Sequence, residues 1–164
     1  MKSPIRVIYI ACMVMLFFSC SSENVDDDLN SPIKEFTVPE VKSIEVEILE
    51  RINNYRASIG LSVLETLDIV KSQAYSHTEY MIKENQISHD YFHARKSYLL
   101  TNAGANSVAE NVGYGYSSAE SVVNAWIKSD SHRETIEGDF TNFDISAEQN
   151  EDGVMYFTNI FIKK

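Results

Sequence analysis

Apolar positions at spacings of three and four open the globular part of the chain. Ile44, Ile48, Ile52, Tyr55 and Ile59 fall on one stripe of a helix. Ser43 stands at its start as a cap, Glu45 and Glu47 complement the positive end of the helix dipole, and Gly60 supplies the stop. A second helix is predicted after Thr66 as cap, with Asp68 in its first turn and Leu67, Val70, Ala74, His77 and Met81 on its inner face. A third begins at Ser117-x-x-Glu120, the spacing of a capping box, and presents Val122, Val123, Trp126 and Ile127 to the core. The period then changes. Phe143 to Ala147 reads as a strand, Gln149 to Gly153 as turn, and Val154 to Ile162 alternates and is rich in β-branched and aromatic residues. Together these predict a hairpin. Helices first and strands last indicate an α+β fold rather than a parallel βαβ sheet.

The first 42 residues have a different grammar. Lys2 and Arg6 precede an uncharged apolar run from Val7 to Phe18, and the small Ser19 precedes Cys20. This is the order of a secretory signal. The run is shorter than the ~20 apolar residues a membrane-spanning helix needs. Leu16-Phe17-Phe18-Ser19-Cys20 resembles a bacterial lipobox, in which the cysteine becomes the new N-terminus and carries lipid; an ordinary cleaved signal with an incidental cysteine is the alternative. Residues 1–19 are therefore expected to be a lipoprotein signal peptide, Cys20 the lipidated residue and 20–42 an acidic tether containing Asp26-Asp27-Asp28, Pro32 and Pro39. The domain is expected to fill 43–164. Serine and acidic residues directly after the cysteine resemble surface-export signals of Bacteroidetes-type lipoproteins; a solvated spacer explains them equally well.

Composition narrows the function classes. Fourteen Lys and Arg face twenty-four Asp and Glu, a formal charge of −10 that becomes −12 once Lys2 and Arg6 leave with the signal. A phosphate backbone would repel such a chain, and no basic patch is visible, so nucleic acid is excluded as partner. The two cysteines are Cys12, inside the signal, and Cys20. The domain thus contains no disulfide, and its fold rests on its core.

Four histidines carry the candidate chemistry: His77, His89, His93 and His132. His89-Asp90-Tyr91-Phe92-His93 has the spacing of the zinc-peptidase motif H-E-x-x-H, but that motif needs one helix face and this segment lies past the second helix. His77 reads as a hydrogen-bonded core residue, His93 as a solvated one and Trp126 as core. A wider constellation joins Ser88-His89, Ala109-Glu110-Asn111-Val112 and Ser131-His132-Arg133. Two neutral imidazoles and a carboxylate are able to bind a metal such as zinc, or to work as acid and base without one. Glu110 equally reads as a buried acid tying loops together, and Asn111 as a loop-ordering side chain. No nucleophile stands out, since no serine occupies a G-x-S-x-G elbow.

These pieces, with Leu49 to Leu64, Ala74 to Met81 and Tyr156 to Phe161, resemble the CAP superfamily (cysteine-rich secretory proteins, antigen 5 and pathogenesis-related proteins) in its bacterial branch. The resemblance implies a three-layer α-β-α sandwich with a cleft where two His and two acids meet. His89, Glu110 and His132 match three of the four. The second acid is replaced by Ser129, with Asp130 beside it as a substitute. The resemblance makes Glu110 and His132 hypothetical catalytic residues, and His89 and His132, with Glu110, hypothetical metal ligands. No cofactor is required, although zinc suits the set. A non-enzymatic module binding a ligand, lipid or protein at the cell envelope is the preferred reading. A metal-dependent hydrolase or peptidase is the first alternative, and a structural envelope protein with a vestigial cleft the second. The expected protein is a monomer, lipid-anchored in the outer membrane or displayed at the cell surface, facing an extracellular partner.

Overall fold

The computed structural model describes residues 38–164; the expected signal peptide, Cys20 and most of the expected tether lie outside the described residues. The order of elements is α1 (Ser43–Ser58), β1 (Glu65–Thr66), α2 (Asp68–Glu84), α3 (Phe92–Asn102), β2 (Ser107–Tyr114), α4 (Ala119–Lys128), α5 (Asp130–Glu137), β3 (Asn142–Gln149) and β4 (Met155–Lys163). The strands form one sheet in the order β1-β3-β4-β2. β3 and β4 are the predicted hairpin, paired from Asn142↔Ile162 to Gln149↔Met155. β2 lies antiparallel to β4 with Glu110 opposite Ile160 and Asn111 opposite Asn159.

Alternation along the strands sends side chains to two different cores. Phe143, Ile145, Ala147, Phe157 and Phe161 meet Ile48, Ile52, Val122, Val123, Trp126 and Ile136 from α1, α4 and α5. Val108, Ile160 and Ile162 meet Val70, Ala74 and Leu99 from α2 and α3 on the other face. The sheet is thus covered by helices on both faces: an α+β protein with a three-layer α-β-α sandwich. Gly113 sits where a Cβ would lie 3.0 Å from Val122 and 3.3 Å from Trp126, so α4 packs directly on the β2 backbone. The Trp126 indole N–H closes that contact by donating to the Val112 carbonyl at 2.9 Å.

The helix ends refine the sequence reading. α1 stops as predicted: Gly60 has φ 81°, which a residue with a Cβ rarely adopts. Leu61 N–H then reaches the Arg56 carbonyl at 2.9 Å and Gly60 N–H the Ala57 carbonyl at 3.1 Å, a Schellman closure. The cap of α1 is Lys42 rather than Ser43; Glu45 accepts from the Lys42 N–H at 2.8 Å. Thr66 does not cap α2, because β1 draws it into the sheet and Leu67 takes the cap position. The box that opens α4 is Ser118 with Ser121, one residue later than Ser117 with Glu120.

The outer edge of β3 is not paired by a long strand, since β1 covers only Asn142 and Phe143. Side chains cover the rest. The Ala147 N–H donates to Glu45 Oε1 at 2.9 Å, and Lys71 Nζ donates to the Ile145 carbonyl at 2.7 Å and pairs with Glu45 at 2.6 Å. Lys42 Nζ takes the Ala147 carbonyl at 3.0 Å. Glu45 and Lys71 are both buried. This sheet edge is therefore closed by an ion pair that fills backbone hydrogen-bonding capacity, a device that blocks edge-to-edge pairing.

Candidate functional site

The other edge of the sheet is β2, and the predicted residues gather along it. Glu110, like Val108 and Val112, points to the α2–α3 face, while Asn111 and Gly113 point to the α4–α5 face. Consecutive residues of one strand thus serve two sides of one edge. The Glu110 side chain is 1% exposed. Its Oε2 accepts from Arg95 Nε at 2.9 Å, and its Oε1 accepts from Arg95 Nη2 at 2.8 Å. Oε1 also lies 2.9 Å from His89 Nδ1. Arg95 is itself buried and anchors the turn ahead of α3 by donating to the Asp90 carbonyl at 2.7 Å.

The charge state follows from these contacts. Burial pushes the Glu110 pKa up, but the His89 hydrogen bond together with the charge and hydrogen bonds of Arg95 outweighs it, and the pKa is lowered. Glu110 is a carboxylate across the neutral range. An ionised carboxylate only accepts, so His89 Nδ1 is the donor in that contact. In the neutral ring Nε2 then carries the free lone pair. The His89 side chain is 53% exposed, so the ring is held at one nitrogen and meets solvent.

His77 stands behind this group. It is buried, lies 3.8 Å from Glu110 and places Nε2 at 2.8 Å from the Ser88 carbonyl. That contact holds the residue just before His89. Burial is the main reason its pKa falls to about 4, so the ring is neutral and Nε2 is the donor to the carbonyl. Tyr80 stacks on it at 5.9 Å between ring centroids.

His132 approaches from the opposite face. Its backbone carbonyl accepts from Asn111 Nδ2 at 3.0 Å, and its Nδ1 lies 2.7 Å from Ser129 Oγ. Burial, and then the neighbouring His89, lowers its pKa, which keeps it neutral near pH 7. His89 and Glu110 are in contact. His132 comes within electrostatic reach of His89 and makes its hydrogen bonds elsewhere. Asp130 is directed away: it pairs with Arg133 at 2.7 Å and is 85% exposed, whereas the Ser129 hydroxyl meets His132. The H-E-x-x-H look-alike is split, with His89 in the turn before α3, His93 exposed within α3, and Tyr91 between them at φ 57°.

Among the described residues, no three His, Cys, Asp or Glu side chains are grouped as a metal ion requires. Both Glu110 oxygens already accept hydrogen bonds from Arg95, and a firmly held zinc takes three or four protein ligands. Two imidazoles alone do not make such a centre. The residue that sequence reasoning missed is Arg95, which fixes Glu110; Ser129, which the sequence places at the fourth position, fills it with a hydroxyl.

An α-β-α sandwich with His and Glu side chains meeting at the β2 edge defines a class. The chain belongs to the cysteine-rich secretory protein (CAP) family, whose model matches residues 49–161. It is 27% identical over 124 residues to an uncharacterized membrane protein of Bacillus subtilis, YlbC, covering 73% of this chain but only 34% of the relative, so it spans about a third of that protein. Among solved structures it is similar to an outer surface protein of Borrelia burgdorferi, with TM-score 0.64 and 19% identity over 78% of this chain and 99% of that one. It is also similar to an extracellular SCP-domain protein of Bacillus anthracis, with TM-score 0.63 and 23% identity over 73% of this chain and 40% of that one. A cysteine-rich secretory protein of Staphylococcus aureus gives TM-score 0.62 and 21% identity over 78% and 41%. These structural likenesses establish the fold. Among the described residues, no helix is long and apolar enough to cross a membrane.

Proposed function

We propose that this chain is an extracytoplasmic binding domain, tethered to the cell envelope through lipid on Cys20, whose contact point is the imidazole of His89 with His132 across the β2 edge. One observation carries the reading: Glu110 has both oxygens committed to Arg95 and His89. Such a carboxylate orients an imidazole rather than trading protons itself, as outer-shell partners of histidine do. His89 Nε2 is then a fixed acceptor for a donor group on a ligand, and the neutral His132 adds a second polar contact. The family and its similar structures, an outer surface protein and an extracellular protein, support placement outside the cytoplasm. The charged–apolar–small order ending at Cys20 supports the anchor.

A hydrolytic reading has one observation of its own, the 2.7 Å contact between Ser129 Oγ and His132 Nδ1, the distance of a nucleophile and its base. One experiment separates the two. A panel of peptides and esters is expected to show no turnover that depends on Ser129 or His132, while envelope components retained by the wild-type chain are lost in the His89→Ala/His132→Ala double variant. Turnover that disappears in Ser129→Ala would replace the binding reading with hydrolysis. The anchor is tested apart from the cleft: Cys20→Ser is expected to move the chain out of the membrane fraction with its melting temperature unchanged.

A further inference from the structure

A second concavity lies on the far side of the sheet from His89, between α1, the start of α2 and the β3 edge. It is a cavity of about 640 Å³ whose walls include Val41, Val46, Leu49, Leu64 and Phe143. That is the size and lining of a small-molecule site rather than of a protein–protein surface. Two buried charged residues reach its wall, Lys71 and Asp144. They are not equivalent. Lys71 is neutralised by Glu45 at 2.6 Å and donates to the Ile145 carbonyl at 2.7 Å. Asp144 is 6% exposed and accepts only from main-chain N–H groups, those of Ile145 at 2.9 Å and Leu67 at 3.3 Å.

Glu45 and Glu110 each have a cation in contact. Asp144 is the buried carboxylate among the described residues that has none within the 4.0 Å of an ion pair. Charged groups at the mouth do not correct this, because Glu50 and Asp68 are acidic and exposed. Desolvation is costly for a carboxylate; here it outweighs the Ile145 and Leu67 N–H contacts and the charge of Lys71, which Glu45 offsets, and the Asp144 pKa is raised to about 6. An incoming cation would relieve that cost, and the apolar walls would cover its hydrocarbon part.

We propose that this cavity is a binding site for a small organic amine, its ammonium group paired with Asp144 and its apolar body seated against Val46, Leu49, Leu64 and Phe143. An anion is disfavoured by Asp144, Asp68 and Glu50 together, and a neutral apolar molecule leaves Asp144 without a partner. The site is separate from the His89 cleft and independent of the function proposed there.

The test is a titration of the full ¹⁵N-labelled chain with benzylamine, benzyl alcohol and benzoate at neutral pH, followed by NMR. Benzylamine is expected to give saturable shifts at the amides of Leu64 to Lys71 and of Asp144, with the alcohol and benzoate at least tenfold weaker. Asp144→Asn should weaken benzylamine at least tenfold. Val46→Trp, which fills the mouth from a position 43% exposed, should do the same without touching the buried charges. Equal binding of amine and alcohol would overturn the proposal, as would benzylamine shifts that fail to saturate or that persist undiminished in Val46→Trp.

Discussion

The two edges of the sheet hold two buried carboxylate–cation pairs with different fates. At the β3 edge, Glu45 and Lys71 spend their hydrogen bonds on the chain itself, at Lys42 N, Ala147 N and the Ile145 carbonyl. At the β2 edge, Glu110 and Arg95 are as deeply buried, but one hydrogen bond leaves the pair and ends on the exposed ring of His89. The same chemistry closes an edge in one place and presents an imidazole in the other. Burial of an acid alone therefore does not tell the two edges apart; the destination of its hydrogen bonds does.

The largest effects should come from leaving either acid without its cation. Lys71→Met strands Glu45, and Arg95→Met strands Glu110; removing one partner of a buried pair costs about 3–5 kcal/mol. Both should show as lower urea midpoints. The comparison is sharpened by what else changes. Lys71→Met should leave the His89 ring resonances in place, whereas Arg95→Met should shift them. Equal disturbance of His89 by both variants would mean that the edges are not independent.

Acid should act on the two edges in opposite directions. His77, behind the β2 edge, has its folded pKa lowered to about 4 from 6.5. As pH falls below 6.5 the unfolded chain takes the proton first, so stability is lost, by roughly 3 kcal/mol on reaching pH 4. Glu110 adds to that loss at the acid end, since its folded pKa is also lowered. Asp144, which faces Lys71 and Glu45 near the β3 edge, has its folded pKa raised from 3.8 to about 6. It binds its proton first in the folded state, so it contributes roughly 3 kcal/mol of stability as pH falls through that window. Urea melts at pH 7 and 4.5 separate the two. Asp144→Asn should lose stability toward acid more steeply than wild type, and His77→Gln should lose less than wild type. The reverse order would refute the assignment of these two shifts.

The smallest effect belongs to His89. Its ring is half exposed and its partner Glu110 keeps both Arg95 hydrogen bonds, so loss of the one His89 hydrogen bond in His89→Ala should cost about 1–1.5 kcal/mol. A cost above about 2 kcal/mol in thermal melts would make His89 architectural.

The parts that were legible in the sequence are those with a broad apolar stripe. α1, α2, α4 and the β3–β4 hairpin bury four or more periodic positions each, and the pattern named them. α3 buries only Arg95 and Leu99, and α5 only Ile136, so neither has a stripe to read. β2 is not legible, because Glu110 occupies an inward position between Val108 and Val112 and breaks the alternation. His89 and Glu110 were found through motif resemblance. Arg95 was not, since nothing in a sequence separates an arginine that is buried and paired from the many that are solvated. Asp130 looked like the replacement acid because it is adjacent in sequence. The turn from α4 to α5 instead sends it to Arg133 and leaves Ser129 beside His132.

The central claim is that Glu110 is a fixed acceptor that leaves His89 Nε2 free. The most direct measurement is the ¹⁵N chemical shift of the two His89 ring nitrogens in the neutral ring. The account predicts a protonated Nδ1 coupled to the Glu110 contact and a lone-pair Nε2. A protonated Nε2 with a lone-pair Nδ1 would contradict it, because Glu110 would then have to hold a proton of its own to keep the 2.9 Å contact.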